Sequence, residues 1–144
     1  MQAYGGGNAA DQYLVQRIQG ATKEQLAAML LEGAERFLNG AIQAMERHDI
    51  QAKARYVNRV SAIIEELTIW LDLESGGELA VNLARIYGWW INELFEGSQS
   101  NDTARLTRIL QQMGDIRTAW QQRATQPPPG AAPDGGGSLD GWVG

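Results

Sequence analysis

The sequence predicts an all-α fold: an antiparallel up-down four-helix bundle with disordered termini. Three observations carry this. All four prolines fall between Pro127 and Pro133, leaving the first 126 residues without one, where average usage of about 5% would give about six. Proline removes a helical N–H and clashes with the preceding turn, so a long proline-free stretch suits helices. Within that stretch apolar residues recur at alternating three- and four-residue steps, the spacing of a bundle seam. The breaks between these runs are short, about two to six residues, and short connections make successive helices antiparallel neighbours. No alternating apolar run is long enough for a strand.

The first helix opens at Thr22, with Gln25 three residues on, the pattern of a capping box. It runs to about Arg47, with Leu26, Leu30, Phe37, Ala41 and Ala44 along one face. Asp49 is a good N-cap for the second, whose seam is Ile50, Val57, Val60, Ile64, Leu67 and Leu71. That helix should end before Ser75-Gly76-Gly77. The third spans about Glu78 to Glu96, with Gly97 as C-cap. The fourth follows Asn101-Asp102 and carries Leu106, Ile109, Met113, Ile116 and Trp120.

The 144 residues make one ordinary domain, long enough to bury a core without staples. We expect a flexible segment over residues 1–17, marked by Gly5-Gly6-Gly7 and serving as a lid, and the helical domain over 18–125. Residues 126–144 should be a disordered Pro/Gly-rich tail. That tail ends in Leu139-Asp140-Gly141-Trp142-Val143, either a plain solubilising appendage or a short docking motif centred on Trp142.

Composition excludes several functions. With no cysteine there is no disulfide scaffold, thiolate metal site or cysteine nucleophile. The lone histidine, His48, rules out a multi-histidine metal site and reads as a solvated residue at a helix end. Net charge is −5, and Lys53, Arg55, Arg59, Arg105, Arg108 and Arg117 are dispersed among acids, so no nucleic acid is expected as partner. No apolar run approaches the ~18 residues of a membrane span, and no basic residue precedes Arg17, so neither membrane insertion nor a signal peptide is expected. A cytoplasmic protein is the expectation. Glu65 and Glu66 point about 100° apart on a helix and cannot converge on one pocket, as acid–base chemistry needs. No phosphate loop or nucleophile motif is present. An enzyme is not expected.

The informative feature is surplus apolar surface. The third helix carries two apolar stripes: Leu79, Leu83, Ile86, Trp90 and Leu94, then Ala80, Ala84, Tyr87, Ile91 and Phe95. A helix in a small bundle needs one. Trp89 stands among Asn82, Arg85, Asn92, Glu93 and Glu96 on the remaining face. On the second helix Tyr56, Ile63 and Trp70 repeat every seven residues beside the seam; they either contact a neighbouring helix or add to an exposed flank. Exposed aromatic stripes on a bundle mark partner grooves.

Several pieces stand in order along the chain: Tyr13, Ala21–Leu26, Met29–Ala34, Leu71–Ala80 with its Gly-Gly-Glu break, Asn82-Leu83, Ile86–Trp90, Asn101-Asp102 and Ile116–Trp120. In this ordered set, over about residues 13–122, the chain resembles the flagellar secretion chaperones of bacteria, the FliS family. Departures are Lys23 where the family favours proline, Leu31-Glu32 for Tyr-Asp, and Trp89-Trp90 for Tyr-Met. The resemblance implies an antiparallel four-helix bundle without catalytic residues or cofactors. It implies a chaperone that binds the disordered C-terminal segment of flagellin in the cytoplasm, prevents premature polymerisation and presents it to a component of the flagellar export gate. The expected client surface is Tyr56, Ile63, Trp70, Tyr87, Trp89 and Ile91; Tyr13 and Ile18 are expected in a lid that the client displaces. The expected state is a monomer or weak homodimer. A homodimer that buries the same stripes, serving as a scaffold or adaptor for another protein partner, is the alternative.

Overall fold

The computed structural model describes residues 9–124 and is all-helical. Its five helices are α1 (Ala9–Gly20), α2 (Lys23–Glu46), α3 (Ile50–Ile69), α4 (Gly77–Gln99) and α5 (Thr103–Ala124), with no strand among the described residues. The expectations for residues 1–8 and for the tail with Trp142 lie outside the described residues.

Local chemistry explains the boundaries. The Thr22 hydroxyl accepts the Gln25 N–H (3.1 Å) and the Gln25 side chain accepts the Thr22 N–H (2.9 Å), so the capping box forms as expected. Asp49 caps α3 by accepting the Ala52 N–H at 3.0 Å. The turns after α2 and α4 are twins. His48 (φ 57°) donates to the Met45 carbonyl and Asp49 to that of Ala44; Asn101 (φ 56°) donates to that of Ser98 and Asp102 to that of Gly97. Each is a paired-bond helix stop built on a left-handed residue.

Three boundaries differ from the sequence reading. Helix α1 forms where a flexible lead was expected to reach residue 17. Helix α3 stops at Ile69, short of Ser75. The Asp72 carboxylate accepts the Glu74 and Ser75 N–H groups (3.2 and 3.1 Å) and the Ser75 hydroxyl, and it offers the backbone a turn in place of a helix. Helix α4 runs through Gly97 to Gln99. Gly97 allows close packing: a Cβ there would lie 2.7 Å from Leu106 Cδ1.

Helices α2, α3, α4 and α5 pack in a cycle, each against two others, around one core. Of the face expected on α2, Ala41 and Ala44 are buried, while Leu26, Leu30 and Phe37 are half-buried; the first half of the helix instead buries a face rotated from them, Ala27, Ala28, Leu31, Ala34 and Leu38. Ile50, expected in the α3 seam, is exposed at the first helical position, whereas Val57, Val60, Ile64 and Leu67 are buried. Polar pairs mark the register. Trp90 donates its indole N–H to Gln112 (2.8 Å), and Arg117 grips Glu35 through two N–H groups (2.6 and 3.3 Å). Lys53 donates to the Ser98 carbonyl (2.8 Å), and Asn101 donates to that of Met45 (3.3 Å), tying the twin turns together.

Candidate functional site

Tyr56 and Ile63 lie on the edge of α3 that faces α2. The Tyr56 ring crosses Gly40 and meets Phe37 with ring centroids 6.4 Å apart; Ile63 reaches to 3.6 Å from where a Gly33 Cβ would be. The seven-residue repeat on α3 thus meets a seven-residue glycine repeat on α2, and both side chains are half-buried in a helix–helix contact. Arg59 extends this edge, its guanidinium 5.4 Å from the Phe37 ring centre. Trp70, half-buried at the end of α3, donates its indole N–H to Glu66 (3.0 Å).

Helix α4 divides its apolar residues between inside and outside. Tyr87 is fully buried, its ring tilted against Trp90 at 5.3 Å between centroids. Its hydroxyl finds no hydrogen-bond partner among the described residues, and burial pushes the phenol pKa above its ordinary value. Tyr87 therefore offers no surface to a partner in this conformation. Ile91 is half-buried on the flank toward α3, the flank shared with Ser98 seven residues on, whose carbonyl receives Lys53. Trp89 is 38% exposed on the opposite flank. One turn on along that flank, Glu93 pairs with Arg105 of α5 through two N–H groups (3.0 and 2.8 Å). Glu93, placed by the sequence on the remaining face of its helix, is buried in this pair, and the guanidinium holds its carboxyl below the usual carboxylate range.

The six residues expected at a client surface therefore do not share one setting. Tyr56 and Ile63 flank the α2 side of α3, Trp70 is half-buried at the end of α3, Tyr87 is in the core, and Ile91 and Trp89 occupy opposite flanks of α4. Two exposed residues were missed. Val81 (40% exposed) and Phe95 (44%) join Ala84, Gly88 and Ile91 at three- and four-residue steps along one face of α4. The space where a Gly88 Cβ would be is open. The sequence signal was available: residues 81, 88 and 95 repeat every seven, as do 84 and 91. Of the expected lid, Ile18 is exposed on α1; Tyr13 lies within α1, with its side chain outside the described part.

Among the described residues no group of histidine or carboxylate side chains could hold a metal ion, and no helix is long and apolar enough to cross a membrane. Further polar side chains tie helices in register: Arg105 also binds Glu96 (2.8 Å), and Gln121 donates to Glu32 (3.3 Å). The site offers apolar surface and hydrogen-bonding rims, which is the equipment of a binding surface.

Comparison with known proteins agrees with that character. The family model described as flagellar protein FliS matches residues 6–127. The flagellar secretion chaperone FliSB of Pseudomonas aeruginosa is 35% identical over 104 residues, 72% of this chain and 82% of its own length. The flagellar secretion chaperone FliS of Salmonella typhimurium is 32% identical over 106 residues, 73% of this chain and 78% of its own. That of Bacillus subtilis is 30% identical over 102 residues, 71% and 75% respectively. The chain belongs to the FliS family of flagellar secretion chaperones, which are not enzymes.

Proposed function

We propose that this chain is a cytoplasmic export chaperone that binds the disordered C-terminal segment of flagellin. In this reading it keeps the segment from polymerising early and delivers it to a component of the flagellar export gate. The observation that carries it is the half-exposed apolar face of α4, Val81 to Phe95, with Trp89 exposed on the opposite flank, on a chain whose core is already closed. A segment that folds as it binds bears an ordering cost of about 2–5 kcal/mol or more, offset by burying about 1,000–3,000 Å². Surplus apolar stripes supply that area.

The scaffold is an antiparallel up-down four-helix bundle spanning residues 18–125. Support comes from the neighbouring pairs: Gly33 meets Ile63 and Gly40 meets Tyr56, Lys53 meets Ser98, Glu93 meets Arg105 and Trp90 meets Gln112, Glu32 meets Gln121 and Glu35 meets Arg117. Wherever two contacts join a pair, one chain number rises as the other falls. Trp89 and Ile91 contact the client directly; Tyr56, Ile63 and Trp70 offer a second groove beside α2, and Tyr87 supports both from within. Tyr13 and Ile18 belong to the lid that the client displaces.

Calorimetric titration with a synthetic C-terminal flagellin segment tests this. Saturable 1:1 binding with a negative heat-capacity change is expected; a folded sample that gives no heat and no mobility shift would sink it. The second reading, a homodimer burying the α4 face, draws on the same exposed stripe. Light scattering separates the two: the chaperone reading expects a monomer or a weak, dilution-sensitive dimer.

A further inference from the structure

A cleft of about 360 Å³ opens where the end of α1 and the start of α2 meet the last turns of α5. Ala21, Ala28 and Met29 give it an apolar floor, and Gln25, Glu32 and Gln121 give it a polar rim. That volume matches the lower range of small-ligand pockets and accepts one large aromatic side chain. We propose that the chain's own segment Leu139–Val143 docks here, with the Trp142 indole seated on Met29 and Ala28.

Three observations point to this occupant. First, the described part of α5 reaches Ala124, one turn beyond Gln121 at the cleft. The fourteen residues 125–138 then separate Ala124 from Leu139. A linker of that length spans on the order of 20 Å, more than enough to return to Gln121. A tether this short holds its end at an effective concentration on the order of millimolar, so weak docking is populated. Second, residues 125–144 carry one compact apolar group, Leu139, Trp142 and Val143, in an otherwise Pro/Gly-rich stretch. Third, the chemistry of the cleft suits an indole. The Met29 thioether favours aromatic contact, and the Glu32 carboxylate, already accepting from Gln121 at 3.3 Å, has lone pairs left for the indole N–H. The chain before α1 is placed worse: it joins at Ala9, about 16 Å along the helix from Gly20.

Docking would clamp α1 onto α2 and α5. Those residues of α1 whose burial is described are exposed without it. The clamp is independent of the flagellin reading, because it needs only this chain.

The protein has no cysteine, so Ser138→Cys in the full chain gives a single site for a nitroxide label. Paramagnetic broadening of backbone amides is the readout. The proposal expects selective loss of amide intensity at Ala28, Met29 and Gln121, none at Met45 and Asn101 at the other end of α2, and recovery when Trp142→Ala is added. Uniform or absent broadening would overturn it. So would broadening in a mixture of labelled unenriched chains and unlabelled enriched chains equal to that within one chain, because the occupant would then be a second copy.

Discussion

Tyr56 of α3 lies across Gly40 of α2 so closely that a Cβ at residue 40 would sit 2.7 Å from the ring. Seven residues earlier on α2, Gly33 meets Ile63 of α3 at 3.6 Å, an ordinary contact distance. The same substitution at these two glycines should therefore have opposite signs. Gly40→Ala must displace the Tyr56 ring and should destabilise by about 1–3 kcal/mol, as overpacking does. Gly33→Ala fits and should stabilise by about 0.5–1 kcal/mol through helix propensity. Urea unfolding of the two variants decides. Equal effects would mean that Tyr56 does not rest on Gly40.

Tyr87 buries a hydroxyl without a partner among the described residues. Tyr87→Phe keeps the ring and its contact with Trp90 while removing the desolvated group. The variant should be as stable as the parent or more stable by about 1 kcal/mol. A clear loss of stability in thermal melts would reveal a hydrogen bond to this hydroxyl.

The Glu93–Arg105 pair sets a pH dependence. Hydrogen bonds from Arg105 lower the Glu93 carboxyl in the folded state. The pair's contribution is therefore complete above the unfolded value, about 4.3, and is lost as pH falls through the lower folded value. Melting temperature should drop as the medium is acidified below that point. Glu93→Gln should be less stable at neutral pH and show a flatter acid limb. Parallel limbs in the two proteins would assign the acid sensitivity to other carboxylates.

Much of the fold was legible in the sequence, because some signals are local. Thr22 with Gln25, and Asp49, declare helix starts through atoms three residues apart, and both caps form. Boundaries set by competition were not legible. Asp72 could extend α3 or close a turn, and the Ser75 hydroxyl and N–H tip it toward the turn. Gly97 reads as a helix stop, yet its missing Cβ admits Leu106 from another helix, a contact that no local pattern announces.

The candidate site was legible in part. Surplus apolar residues on α3 and α4 stand out, but helical spacing alone does not say which stripe a neighbour will cover. The Tyr56–Ile63 repeat has its counterpart in Gly40 and Gly33, and only the pairing of α2 with α3 makes that match visible. Tyr87 and Ile91 share a stripe, and the core takes one while the surface keeps the other. Glu93 sits on a polar face in sequence and is buried because Arg105, twelve residues on, comes back to meet it.

The most direct measurement is titration of a synthetic C-terminal flagellin segment into the parent chain and into Trp89→Ala. Trp89 is exposed and outside the core, so its removal should leave the melting temperature nearly unchanged. Affinity should fall by about 2 kcal/mol, roughly thirtyfold in Kd, as for an interface hot spot. Unchanged affinity with an unchanged fold would contradict the account, placing the client away from this flank of α4.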